Sequence, residues 1–168
     1  TLFDGEGQQP QRVTFIDQGR SGDVVYSAAS AARKGCASTG HSDGSGGEQI
    51  NHIHMAGGSK TLDQLVGGLK RGIWVNRFHY VNGLLDPPKA TMTGLTRDGC
   101  LYVEDGQPMG GFPTMRFTES ILEAFSRCDG MTELLTAVSS GWRDGGALVV
   151  PSVLLRDFHF TSKQGGVS

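Results

Sequence analysis

Apolar and polar residues alternate with a period of two along several short stretches, the spacing that sends successive side chains to opposite faces of a strand. In residues 11–18, Val13 and Phe15 share one face while Thr14 and Ile16 share the other, which predicts a strand closed by a turn over 19–23. Residues 50–55 return to strand character. Residues 73–82 place Trp74, Phe78 and Tyr80 on one side and Ile73, Val75 and Val81 on the other, with Arg77 interrupting the second, apolar side. Residues 89–97 and 100–104 flank Asp98-Gly99, a pair that favours a two-residue hairpin turn, and Asp105-Gly106 makes a second such turn. Residues 112–117 lead from this region towards a helix, and residues 147–160 alternate as a closing strand.

Helical spacing is rarer. Residues 25–34 are alanine-rich and stop at Gly35, a C-terminal capping glycine. Leu62, Leu65, Val66 and Leu69 form an apolar stripe at i, i+3, i+4 and i+7. Thr61 and Gln64 have capping-box spacing ahead of it, and Lys70 and Arg71 fill its last turn before Gly72. Gly67 and Gly68 within that helix cost about 1 kcal/mol each against alanine, which predicts a second backbone packed close by. Thr118 opens a further helix with Ile121, Leu122 and Phe125 facing inward, ended by Asp129-Gly130, and a short helix is predicted over 131–138. Residues 38–48 are a Gly/Ser run with almost nothing to bury and are expected to form a mobile loop. This order predicts an α+β fold, predominantly antiparallel β in a curled or barrel-like sheet, with two or three short helices.

The length of 168 residues fits one domain, 1–168, and the 26 glycines favour tight turns over long helices. A net charge of −2, from 15 basic and 17 acidic side chains without a basic stripe, argues against a nucleic-acid surface. No apolar run approaches the roughly 20 residues that span a bilayer, and no charged-then-apolar leader is present, so no membrane role is expected. Three cysteines, Cys36, Cys100 and Cys128, are an odd count without metal-ligand spacing, which suits a reduced, cytoplasmic setting. The chain opens at Thr1 without a methionine, the expectation for a piece of a larger protein.

The chemistry-bearing residues are few. Gly40-His41-Ser42-Asp43-Gly44 matches the G-x-S-x-G nucleophile pattern, but its Ser/Gly-rich flanks lack the strand and helix of a nucleophile elbow. His52 and His54, two apart on a strand, send both rings to one face and are weak candidates for a metal site needing a third ligand. None of the five histidines is followed by glutamate, so no histidine–glutamate zinc helix exists in this sequence. Asp98, Glu104 and Asp105 cluster at turns, and Glu119 suits the first turn of a helix. Arg77, on an apolar strand face, needs a carboxylate partner or a cleft. No catalytic residue is assigned.

Several segments resemble one family in order. Gly72-Ile73-Trp74-Val75-Asn76-Arg77-Phe78-His79-Tyr80-Val81-Asn82, Thr93-Gly94-Leu95-Thr96-Arg97-Asp98-Gly99, the stretch 101–106 and Arg116-Phe117-Thr118-Glu119-Ser120 are similar to motifs of the TldD/PmbA family. Phe3-Asp4-Gly5-Glu6-Gly7, Ser38-Thr39-Gly40-His41, Val150-Pro151-Ser152 and Asp157-Phe158 extend the resemblance over nearly the whole chain. It implies the C-terminal portion of a protein long labelled a modulator of DNA gyrase, in a family of zinc peptidases that act on unfolded peptides, often as two related subunits. The family's histidine–glutamate helix is missing here, and no cysteine follows Cys128, although a C-terminal cysteine supplies a further zinc ligand in catalytic members. The resemblance therefore implies that zinc belongs only to a full-length catalytic member, and that this chain has no cofactor of its own. It also implies a peptide or unfolded segment as ligand and a related subunit as partner. The peptide would lie along strand 73–82 or 89–97, with Trp74, Arg77, Phe78, Tyr80 and Arg97 as candidate contacts. The alternative is a non-catalytic partner subunit or assembly module.

Overall fold

The computed structural model describes residues 2–139 and 146–163. The chain divides into two compact units, Thr1–Met55 with Ala137–Val150 and Ala56–Thr136 with Pro151–Ser168.

In the first unit, β1 (Ile16–Asp17) and β2 (Arg20–Ser21) form a minimal antiparallel hairpin, so only the end of the strand expected over 11–18 is realised. Helix α1 (Ala28–Lys34) begins at Ser27, whose hydroxyl accepts from the Ser30 N–H, and ends at Gly35 in the left-handed region, as the capping glycine predicts. Strand β3 (His52–His54) runs parallel to the start of β9 (Ala147–Leu155). The segment 38–48, expected to have nothing to bury, encloses a buried Ser42, and a bridge joins Ser42 to Glu48.

In the second unit, α2 (Leu62–Gly67) carries the expected capping box between Thr61 and Gln64. It stops at Gly68, however, and Arg71 opens β4 (Arg71–Asp86) instead of closing the helix. A single 3-10 turn, Pro87–Lys89, leads to β5 (Thr91–Glu104). Then follow β6 (Gln107–Phe112), β7 (Met115–Ser120) and α3 (Ile121–Ser126). Strand β8 (Cys128–Ser139) occupies the region read as helix over 131–138, and β10 is Phe160–Lys163. The N-cap of α3 is Ser120 and not Thr118, because β7 keeps Thr118 in its ladder with β5.

The main sheet has strand order β10-β7-β5-β4, with β6 also paired to β5, and every pairing in it is antiparallel. The fold is thus mostly antiparallel β with three short helices, as the periodicity predicts. The expected curl towards a barrel is not found: among the described residues no sheet closes, and β4 and β10 stand at the two ends of the main sheet. β5 is its centre. One edge pairs with β4; the other pairs with β7 through Thr91–Leu95 and with β6 through Cys100–Glu104. Cys100, Val103, Met115 and Phe117 are buried along these strands. Phe117 anchors an aromatic cluster, with Phe78 at 4.5 Å and Phe158 at 5.4 Å between ring centres, and Phe160 lies 5.2 Å from Phe158.

Asp98-Gly99 does not turn the chain. Both residues have positive φ, 63° and 79°, as the turn signal requires, yet the strand on either side pairs with the same partner. Val75 faces Cys100 and Arg77 faces Arg97, so Asn76 alone opposes the two residues. This is a β-bulge, and the Asn76 amide donates to the carbonyls of Asp98 at 3.0 Å and Gly99 at 2.7 Å. Asp105-Gly106 is the true hairpin turn, joining Glu104 to Gln107. Gly106 also meets the end of α2: a Cβ there would come within 2.9 Å of the Gly67 Cα, the close backbone approach expected from the glycines of that helix.

Candidate functional site

Alternation along β4 puts Arg71, Ile73, Val75, Arg77 and His79 on one face, and the register places Glu104, Tyr102, Cys100, Arg97 and Leu95 opposite them. On this face Arg71, Ile73, Tyr102, Met109, Gly110, Gly111 and Phe112 line a shallow, open depression of about 570 Å³. Tyr102 and Phe112 stand 6.2 Å apart between ring centres, and the Tyr102 hydroxyl donates to Glu104 at 3.2 Å. The Gly110-Gly111 segment contributes no side chains, so the hollow between the aromatic rings and Met109 stays open. Further along the face, Arg77 and Arg97 flank Asp98, with Nε–carboxylate distances of 2.6 and 3.8 Å and all three side chains about half exposed. The carboxylate that Arg77 needs is therefore the one displayed by the bulge.

The five residues expected to contact a peptide divide. Arg77 and Arg97 come together on the face of the depression. Trp74 and Phe78 belong to the opposite face, where Phe78 packs on Phe117 and Phe158 while staying 37% exposed. Tyr80 leaves the expected row because β4 bulges between His79 and Asn82; its φ is 50°, its side chain is 74% exposed, and its ring meets His79 edge-on at 4.5 Å. Strand 89–97 is excluded as a docking edge, since β5 has partners on both sides. Tyr102, Met109 and Phe112 were invisible to periodicity, because only the pairing of three strands brings them around one hollow.

The described residues do not fit a zinc site. No three His, Cys, Asp or Glu side chains among them gather as metal ligands, and His52 and His54 lie exposed on β3. Nor does the G-x-S-x-G stretch form an elbow: buried Ser42 accepts from the Gly44 N–H at 3.1 Å, and its own N–H donates to Asp4 at 2.9 Å. Cys100 is buried, Cys128 starts a strand and Cys36 is exposed. Of the stretch 139–146, where a family cysteine would be expected, residues 140–145 lie outside the described residues. No helix is long and apolar enough to cross a membrane among the described residues.

Residues 1–162 match the family model for the PmbA/TldA metallopeptidase C-terminal domain. The chain belongs to the PmbA/TldD family. Solved structures agree on the fold of this PmbA/TldD domain. TldE from Thermococcus kodakarensis superposes with a TM-score of 0.78 at 18% identity, over 96% of this chain and 36% of that one. A Thermotoga maritima protein described as a putative modulator of a DNA gyrase gives a TM-score of 0.75 at 17% identity, over 96% and 35%. A Bacteroides thetaiotaomicron protein of similar description gives 0.59 at 22% identity, over 91% and 32%. The domain thus spans about a third of the length of these structures. Comparison with curated protein sequences gives no match.

Proposed function

We propose that this PmbA/TldD domain serves a larger, cytoplasmic metallopeptidase by forming one wall of a peptide cleft and part of a subunit interface, while zinc-dependent hydrolysis resides outside this chain. The observation that carries the reading is the position of β4: it ends the main sheet, and its regular part, residues 71–79, runs beside the depression. An extended peptide added there would bond through its backbone to the outer edge of β4, with alternate side chains directed over the Ile73–Tyr102 hollow. Backbone recognition suits a ligand of loose sequence, such as an unfolded segment. The family match supports a place for this domain within a metallopeptidase.

Titration of the isotopically labelled chain with a soluble unfolded peptide tests this. Amide shift changes are expected along residues 71–79 and at Tyr102 and Met109, and Ile73→Glu is expected to abolish them. Changes confined to other elements, or none, would sink the reading. The alternative, a non-catalytic partner subunit, is favoured by the absence of any cysteine after Cys128. The reading frame preceding Thr1 separates the two: a histidine–glutamate motif supports a catalytic parent, and its absence supports the partner.

A further inference from the structure

The face beside β4 carries three guanidinium groups, Arg71, Arg77 and Arg97, against two carboxylates, Glu104 and Asp98. Arg77 and Arg97 are register partners on adjacent strands and share the single carboxylate of Asp98. Asp98 engages them through Nε, at 2.6 and 3.8 Å, and both arginine side chains are more than half exposed. One positive charge is left over, on planar groups whose geometry matches a second carboxylate. Arg77 lies four residues from Ile73 on the same face of the strand, about 13 Å away at ~3.3 Å per residue.

A strand laid along β4 has the same repeat. Its side chain beside Ile73 meets the apolar hollow, and its side chain four residues away meets the arginine pair. We propose that this edge selects extended peptides in which an internal aspartate or glutamate stands four residues from a large apolar residue. The carboxylate is held between Arg77 and Arg97 and the apolar group is seated against Ile73 and Tyr102. The proposal rests on the reading of β4 as a peptide-docking edge.

The test uses the 168-residue chain and fluorescent, C-terminally amidated peptides that carry leucine and glutamate four apart, in both chain orders, each with a glutamine counterpart. Binding is read by anisotropy. In one order the glutamate peptide is expected to bind about fivefold tighter than its glutamine counterpart, a margin set by the exposure of the pair. The margin should shrink at about 0.5 M salt, where screening shortens the reach of surface charge. R97Q is expected to remove the margin between glutamate and glutamine peptides. D98N is expected to widen it by freeing both guanidiniums, and asparagine accepts the positive φ at that position. Equal affinity of glutamate and glutamine peptides in both orders overturns the selection and leaves the docking edge standing. Absence of binding by all four peptides overturns both. A preference that arises only when the peptide carboxy terminus is left free assigns the arginines to chain ends and overturns the internal-carboxylate claim.

Discussion

Glu119 sits on β7 almost wholly out of solvent, with both carboxylate oxygens occupied. One accepts from the Ser120 N–H at 2.9 Å; the other accepts from Arg127 at 2.7 Å and from the His159 N–H at 3.0 Å. A single side chain thereby ties β7 to the segments that precede β8 and β10. Glu119→Gln places an amide N–H₂ against groups that donate, and is expected to lower stability by about 2 kcal/mol in urea unfolding. Asp4 illustrates a half-buried case. The Ser42 N–H, helped by those of Gln8 and Glu6, holds its carboxyl below the usual aspartate range, against the opposing pull of desolvation. A carboxyl whose pKa is depressed on folding stabilises fully above its unfolded value near 3.9, and that contribution is lost as pH falls through the lower folded value. The Ser42 amide resonance is therefore expected to follow a titration whose midpoint lies below that of an unperturbed aspartate, whereas in Asp4→Asn that step should be missing.

At the scale of elements, the two Asp-Gly pairs separate what is local from what is not. Both adopt left-handed backbone, as their chemistry predicts, yet one turns the chain and the other bulges a continuous strand. The dihedral preference was legible at each site; the partner strand, which decides the outcome, was not. Capping chemistry is equally local, and for that reason the Thr61–Gln64 box and the Gly35 cap were readable residue by residue. The apolar pattern over 131–138 was not, because a short run of mixed period folds as whichever element its neighbours can pair with, and here it joined β9. Gly106 is where turn and packing demands coincide, with a φ of 75° and the Gly67 backbone alongside. Gly106→Ala is expected to cost about 2 kcal/mol, read as a drop in thermal midpoint, since it combines left-handed strain with a contact that neither backbone can easily relieve.

Over the whole chain, several large apolar side chains stand in solvent. Ile121, Leu122 and Phe125, expected to face inward, are 40%, 62% and 45% exposed, while Ala124 is the buried residue of α3; Leu134 on β8 is 84% exposed. Their helical spacing was real, but the side of α3 that is buried is the one carrying the small Ala124. Leu122→Lys and Leu134→Lys are therefore expected to change the stability of this chain by no more than about 0.5 kcal/mol, measured by denaturant titration. The candidate site was half legible for a related reason. Arg77 stood out on an apolar strand face and Arg97 came with the family resemblance, but the hollow of Tyr102, Met109 and Phe112 exists only once β4, β5 and β6 lie side by side. That arrangement also sets an order of assembly. Strands β4, β5, β6 and β7 follow one another along the chain and can zip together through short connections, whereas β10 meets β7 at Phe117 from about 40 residues further on. The edge of the sheet that carries β10 thus closes a long loop and should form last, bringing Phe158 and Phe160 onto a nucleus that already holds Phe78 and Phe117. In hydrogen exchange the β10 amides would then be the first of this sheet to open, long before those of β5.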